Sequence, residues 1–419
     1  MNVLYLTWGE TPRSYGVFHS QVMSQFIETY EQFPEANFSF ASAVPIIHSG
    51  LVRERFGYKN ELATVKQQFA QKGIQFDWIP MLIPQNMIFG SGALFHFVQK
   101  VTQFFINKRI KLNSLDIVHC RSYFSAYAAN KLREKHGYKY KVIFDARGFL
   151  PEEIAMKHRL AESSNEFKFF KEIEAYLLSV SDSTVTVSDT MYSTFMSLNP
   201  KRLDNIYLST DFRKLTPVKK NVRNITKETA ITLLYLGALG EELWHQPTEL
   251  AKVFRKVKSI YTNAKLKIIT TNNHTVLKQY FSEFSEDEVV FTSTKNQDEL
   301  ALEIKNIDLA VLPYRRNRDF AEARVGHSIL GTKTVEYLAS GVPVLCNRDC
   351  GGAAAVIGRH SKFGLVYSPG ALNELSYISL SDLVTGEFDK EDFLLLSEIF
   401  DYKKNSEKYA ALYKDLINS

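Results

Sequence analysis

At 419 residues the chain exceeds the size at which one hydrophobic core keeps growing, so two domains are expected. Its apolar fraction of 45% and charged fraction of 23% are those of a globular protein rather than a disordered or fibrous one. The net charge of +5 is modest: it suits an anionic small ligand or an acidic membrane surface and gives no basis for nucleic-acid binding.

The N-terminal MNVLYLTWG reads as a β-strand rather than a leader peptide, because polar residues follow closely. Further short apolar runs follow as FSFASAV, IQFDWI, DIVHC, KVIFDA, STVTV and NIYLS, with helical stretches such as SQVMSQFIETYEQF and AYAANKLREKH between them. Strands alternating with helices predict layered α/β structure built on parallel sheets. Between Ile79 and Ile110 the chain is rich in apolar residues, but prolines, glycines and charges interrupt it before it reaches the length of a bilayer span. From Gly92 a helical pattern places Leu94, Phe97, Val98, Val101, Phe104 and Phe105 together, ahead of Lys108 and Arg109. A core helix is the expected reading and a membrane-facing helix its alternative.

A basic, aperiodic stretch over 213–228 reads as a linker, dividing a first domain over 1–212 from a second over 229–392. The second half repeats the alternation with ITLLYLG, LKIITT, VVFTS, LAVLPY, VPVLCN and FGLVY. A closing helical segment is expected over 393–419, with DYKKNSEKYAALYKDLI as its amphipathic helix. Cys120, Cys346 and Cys350 have no neighbours at zinc-ligand spacing and read as structural thiols of a reducing compartment.

Chemistry-bearing residues concentrate after strand ends. In GHSILGTKTVEYLASGVPVLCN, a glycine-led turn opens a short helix whose free amides could meet phosphate oxygens. Val335, Leu338 and Ala339 share its apolar stripe, whereas Lys333, Glu336 and Ser340 share another face. The helix lacks a capping box, since the third position after Thr332 is Val335. Pattern alone leaves Glu336 open between a ribose ligand and a solvated helix charge.

This segment resembles the donor-binding signature of family 4 retaining glycosyltransferases of GT-B fold. Six further stretches match in order: VLYLTWGETPRSYGVFHSQV, DIVHCRS, VIFDARGFLPEE, STVTVSDTM, LLYLGALGEELW and LAVLPYRR. The resemblance implies two Rossmann-like domains facing across a cleft, with the last helix bracing the first domain. It also implies a nucleotide-sugar donor, a glycan or lipid-linked acceptor, and no cofactor or metal. Glu336 would then hold the ribose, and Gly331, Thr332 and Lys333 would meet the phosphates. Gly237 and Gly16 would lie in the loops beside the donor, the latter with Gly9 bracketing WGETPRSYG. The wording D-x-R-G and T-K-x-x-E-Y-L-A marks a subset of the family.

The sequence departs from the common family pattern at three points. Ser328 stands where many members carry a sugar-contacting glutamate, eight positions before Glu336. The loop GALGEELWHQ lacks the usual arginine and lysine and offers Glu241, Glu242, Trp244 and His245. Asp145, Arg147 and Gly148 replace a histidine motif after VIFDA. Arg315, Arg316, Arg318 and Arg324 could compensate, with Arg316 the chosen donor contact. Arg147, Asp145 and Arg121 are the candidate catalytic residues, though Arg147 could equally form a structural ion pair with Asp145 or Glu152. Arg121 is preferred over His119 for a ligand-facing role.

The expected function is transfer of a sugar, with retention, in polysaccharide or glycoconjugate synthesis in the cytoplasm, with peripheral membrane contact compatible. A GT-B sugar-nucleotide 2-epimerase and a noncatalytic sugar-nucleotide-binding protein are the alternatives.

Overall fold

The computed structural model describes residues 1–10, 18–45, 55–83, 92–215, 224–294, 297–368 and 370–419, with positions 55–60 and 297–298 described for their backbone only. Two compact units emerge. The first comprises Met1–Tyr207, Phe320–Val325 and Tyr402–Ser419, and the second Leu208–Asp319 and Gly326–Asp401. Part of the expected linker, 216–223, lies outside the described residues. Ile225 already packs against the second unit's core, and its carbonyl accepts the Tyr377 hydroxyl at 2.7 Å.

The first unit is a seven-stranded parallel sheet, ordered β3-β2-β1-β4-β5-β6-β7. Its strands are β1 (Asn2–Trp8), β2 (Asn37–Pro45), β3 (Gln75–Met81), β4 (Ile117–Arg121), β5 (Lys141–Asp145), β6 (Ser183–Thr186) and β7 (Leu203–Asn205). Helices α1 (Ser24–Gln32), α2 (Arg55–Gln71), α3 (Gly92–Arg109), α4 (Tyr123–His136), α5 (Leu150–His158), α6 (Asn165–Val180) and α7 (Asp189–Met196) connect them. Because helices cover parallel sheets on both faces, β4 is buried along its whole length, which explains its near-continuous apolar spelling. β7 falls just before the expected NIYLS: Leu203 pairs with Thr184, and the ladder ends at Asn205. Two residues on, the Tyr207 carbonyl accepts instead from the Asn405 side-chain amide.

The second unit is a six-stranded parallel sheet, ordered β10-β9-β8-β11-β12-β13. It is built from β8 (Thr232–Leu236), α8 (Pro247–Ile260), β9 (Lys265–Ile269), α9 (His274–Lys278), β10 (Val289–Thr292), α10 (Gln297–Ile304) and β11 (Leu309–Leu312). After α11 (Phe320–Ser328) come α12 (Thr332–Ala339), β12 (Val344–Asn347), α13 (Gly351–Ile357), β13 (Gly364–Tyr367), α14 (Tyr377–Thr385) and α15 (Lys390–Phe400). In each sheet the strand order reverses once, between β1 and β4 and between β8 and β11, and open α/β sheets bind ligands at the carboxyl ends of such strands.

The expected DYKKNSEKYAALYKDLI forms α16 (Tyr402–Asn418), but the boundary expected at 393 falls inside α15, and the two helices are parted at Asp401. α16 belongs to the first unit. It buries Tyr409, Leu412, Tyr413 and Leu416 in that unit's core, while Ser406 accepts from Gln25 at 2.6 Å. Helix α3 also corrects an expectation. Its buried face is Phe95, Val98, Gln99, Thr102 and Ile106, leaving Phe97 and Phe104 exposed. Gln99 is tolerated inside because its amide donates to the Phe124 carbonyl at 3.1 Å. No described helix is long and apolar enough to cross a membrane.

Candidate active site

In the second unit the site is built where β8 ends. Gly237 follows the strand with φ +105°, and a Cβ there would collide with the Lys333 side chain. Only glycine lets that lysine pass so close to the backbone at this φ. The Lys333 ammonium lies 5.8 Å from the centre of the Tyr235 ring. Helix α12 is fixed to the strand end by Tyr337, whose hydroxyl accepts the Leu236 N–H at 2.7 Å. Its N-cap is Gly331, which supplies no side-chain cap, so the first-turn amides at Thr332 and Lys333 are not capped from within. Val335, Leu338 and Ala339 are buried as the spacing predicts, and Lys333 and Glu336 lie on the half-buried face.

Glu336 retains some exposed surface, but the protein packed around it pushes its carboxyl up to about 7, against the opposing pull of Lys333. Burial also lowers the Lys333 ammonium, with Glu336 partly restoring it. His245, from the loop after β8, lies 4.3 Å from the Tyr314 ring and is buried, with no hydrogen-bond partner at Nδ1. Burial, then the Lys333 charge, holds this imidazole neutral. The assembled surface therefore offers a cation, an ionisable carboxyl, helix amides and a buried neutral imidazole.

Among the other expected residues of this unit, Ser328 closes α11 and is buried, its carbonyl packed where a Cβ on Gly352 would stand. Arg316 is exposed and lies against Gly370. Arg315 is buried, its guanidinium 4.9 Å from the Trp244 ring. Arg324 falls in the first unit, bonded to Glu162 at 2.6 Å and close to Glu152 at 3.8 Å. Glu241 is structural: its carboxylate accepts from Thr248 in the first turn of α8.

In the first unit, charged groups gather at the ends of β1, β4 and β5. The Arg121 Nε lies 2.8 Å from both Glu10 oxygens, and its guanidinium approaches Asp145 at 4.0 Å. Arg147 reaches the other Asp145 oxygen at 3.5 Å, and His119 Nε2 lies 3.6 Å from Asp145 Oδ2. Burial pushes the Asp145 carboxyl up, but Arg147, His119 and Arg121 together outweigh it and hold it below the usual range. Burial lowers the His119 imidazole, and its Nδ1 meets the Tyr413 hydroxyl of α16 at 2.7 Å. Ser122 and Arg147 adopt positive φ of 88° and 61°, conformations that cost energy for non-glycine residues and cluster at functional sites. Arg121 and Asp145 are thus deeply buried, and Arg147 is the more accessible member. Glu152 is buried and Glu153 exposed, as adjacent helical positions should be. Gly16 lies outside the described residues; Gly9 turns the chain after β1 with φ 76°.

Solved structures resemble the chain along its length. A glycosyltransferase from Rickettsia africae matches with TM-score 0.65 and 13% identity, over 100% of this chain and 99% of that one. Sucrose-phosphate synthase from Thermosynechococcus elongatus gives TM-score 0.63 and 12% identity, over 100% and 99%. HepE from Anabaena, in complex with UDP, gives 0.61 and 12%, over 99% and 100%. The fold is GT-B.

Within this GT-B chain, residues 230–377 match the family model described as glycosyl transferases group 1. That segment runs from β8 to the start of α14 and contains Gly237, His245, Lys333 and Glu336. No curated protein sequence matches the chain. The segment match and the GT-B architecture together support a glycosyltransferase. The structure brings the expected Gly237 and Lys333 together with Glu336 one turn on, and adds two residues the sequence did not single out, Tyr337 and Glu10. A tyrosine one position after Glu336 was the available signal for the first. Glu10 had only its place two residues after β1.

Proposed function

We propose that this protein is a retaining glycosyltransferase that moves a sugar from a nucleotide-sugar to a glycan or lipid-linked acceptor in glycoconjugate synthesis on the cytoplasmic side. The observation that carries the donor half is the passage of Lys333 over Gly237, which sets a cation beside Glu336 and the uncapped start of α12. A leaving nucleoside diphosphate gathers negative charge as the glycosidic bond breaks. Lys333 and the first-turn amides are preorganised to receive that charge, the kind of contribution that dominates many enzymatic accelerations. In its ionised form Glu336 can accept two hydrogen bonds from a ribose diol. Complexes of the structurally similar HepE with UDP and with UDP-glucose make uridine donors the first to try.

In the first unit, Arg147 is the group offered to ligand, with Asp145, Arg121 and His119 as its support. Lys333, the amides and arginine side chains supply the electrostatic role, so transfer proceeds without a divalent metal or other cofactor. A thermal-shift screen of nucleoside diphosphates and their sugars, followed by calorimetry, tests the donor assignment, because a ligand of the folded state raises its melting temperature. The expected result is stabilisation by at least one nucleoside diphosphate, at a 1:1 ratio. No stabilisation by any of them would remove the donor site.

A further inference from the structure

We propose that the outer face of α3, with the groove it forms against α4, docks on an anionic lipid bilayer. This adds a location to the lipid-linked acceptor suggested above and is tested separately from it.

Three observations converge on this face. Phe97 and Phe104 are 57% and 60% exposed. They stand seven positions apart on one helix and therefore share a side of it. Lys100 lies between them, and the Lys108 ammonium sits 5.9 Å from the Phe104 ring. Trp78, 43% exposed, lies by the C-terminal end of the same helix, with the Arg109 guanidinium 5.2 Å from its ring. All eighteen residues of α3 lack aspartate and glutamate, and Lys111 stands two residues beyond its end. Finally, a groove of about 700 Å³ runs between α3 and α4, where Phe104, Tyr127 and Leu132 meet Lys100, Lys131 and Lys135. The acid among them, Glu134, is already paired with Lys131 at 2.9 Å and with Tyr176.

The chemistry selects the occupant. Large aromatics left in water beside lysines and arginine, with no acid on the helix, form the pattern of a helix lying in a membrane interface. The rings enter the headgroup–acyl boundary while the cations meet lipid phosphates. A protein partner fits less well, since interface cores are depleted in lysine. A second copy of this chain would bring the same cations face to face across a two-fold axis.

The test is co-sedimentation of the full chain with vesicles of phosphatidylcholine alone or with roughly one-third phosphatidylglycerol. The expected result is binding to the anionic vesicles that weakens as salt rises. Phe97→Ser/Phe104→Ser and Lys100→Glu/Lys108→Glu should each lower the partition about tenfold or more, with unchanged circular dichroism and melting temperature. Equal pelleting with both vesicle types, or double variants that bind as the parent does, would overturn the proposal. So would aggregation or dimerisation of the parent that both double variants abolish without any vesicle binding. Nucleotide calorimetry on the same proteins reports the donor site alone, so either proposal can fail while the other stands.

Discussion

Glu336 and Gly237 carry the most specific expectations at the scale of single residues. If Glu336 holds a ribose diol through charge-assisted hydrogen bonds, Glu336→Ala should weaken nucleoside diphosphate binding by about 1.5–3 kcal/mol. Calorimetry on a folded variant with unchanged affinity would dismiss the assignment. The pH dependence is more diagnostic. The carboxyl is held up at about 7 by the surrounding protein, so the free site is substantially protonated just below neutrality. A ligand that prefers the carboxylate must release that proton on binding. Affinity should therefore be full above about pH 8 and fall about tenfold per unit well below 7, a slope that Glu336→Gln should abolish. Folding stability has the opposite sign: a raised carboxyl pKa favours the folded state at low pH, and that share is lost as pH rises through about 7. At Gly237 an added Cβ meets both an unfavourable φ and the Lys333 side chain. Gly237→Ala should cost about 1–2 kcal/mol in urea denaturation. It should also weaken nucleotide binding by displacing Lys333, and unchanged binding would place that lysine outside the phosphate site.

At the scale of elements, α16 deserves its place in the first unit through chemistry as well as packing. It lays Tyr413 against His119, the imidazole that backs Asp145, and Asp145 in turn faces Arg147. Tyr413→Phe keeps the ring and deletes the hydroxyl, leaving a buried imidazole nitrogen without that partner. A loss of about 1–3 kcal/mol in denaturant stability is expected. Stability within about 0.3 kcal/mol of the parent would show that the contact is neutral. The β8–α12 pair follows a similar logic, with Tyr337 joining helix to strand so that Gly237 and Lys333 meet. Much of this was legible in the chain. Alternating apolar runs located twelve of the thirteen strands among the described residues within a residue or two, because strands of a parallel sheet buried on both faces must be apolar along their length. The helix at Thr332 was legible because its apolar stripe and its glycine boundaries agree. The face of α3 was not. With Leu94, Phe95, Phe97, Val98, Phe104 and Phe105 all apolar, two stripes compete, and a bonded glutamine decides which is inside. The amphipathic period of DYKKNSEKYAALYKDLI did locate α16, whereas the boundary expected at 393 fell inside α15.

At the scale of the whole molecule, the proposed transfer is expected to run without a metal clamp on the diphosphate. The sequence has no D-x-D element, and among the described residues no three histidine, cysteine or acidic side chains gather at ligand spacing. Lys333 and helix amides are the expected substitutes. Activity should survive excess chelator, and the product's anomeric coupling by NMR should match the donor's. Chelator inhibition reversed by manganese, or an inverted product, would refute that mechanism.

Sequence alone determined the two-unit α/β plan and the segment that carries Lys333 and Glu336, because both are written in local periodicity, glycine placement and motif order. Tertiary structure decided the surroundings in which the candidate residues stand. Burial makes Arg121 and Asp145 the support and Arg147 the accessible group. The Arg324 charge is committed to Glu162 and Glu152. His245 becomes a neutral buried ring beside Lys333, and Glu336 a carboxyl that titrates near neutrality. The physical reason is common to all of them: the charge state and reach of a polar side chain depend on desolvation and on partners distant in sequence, which no local pattern records.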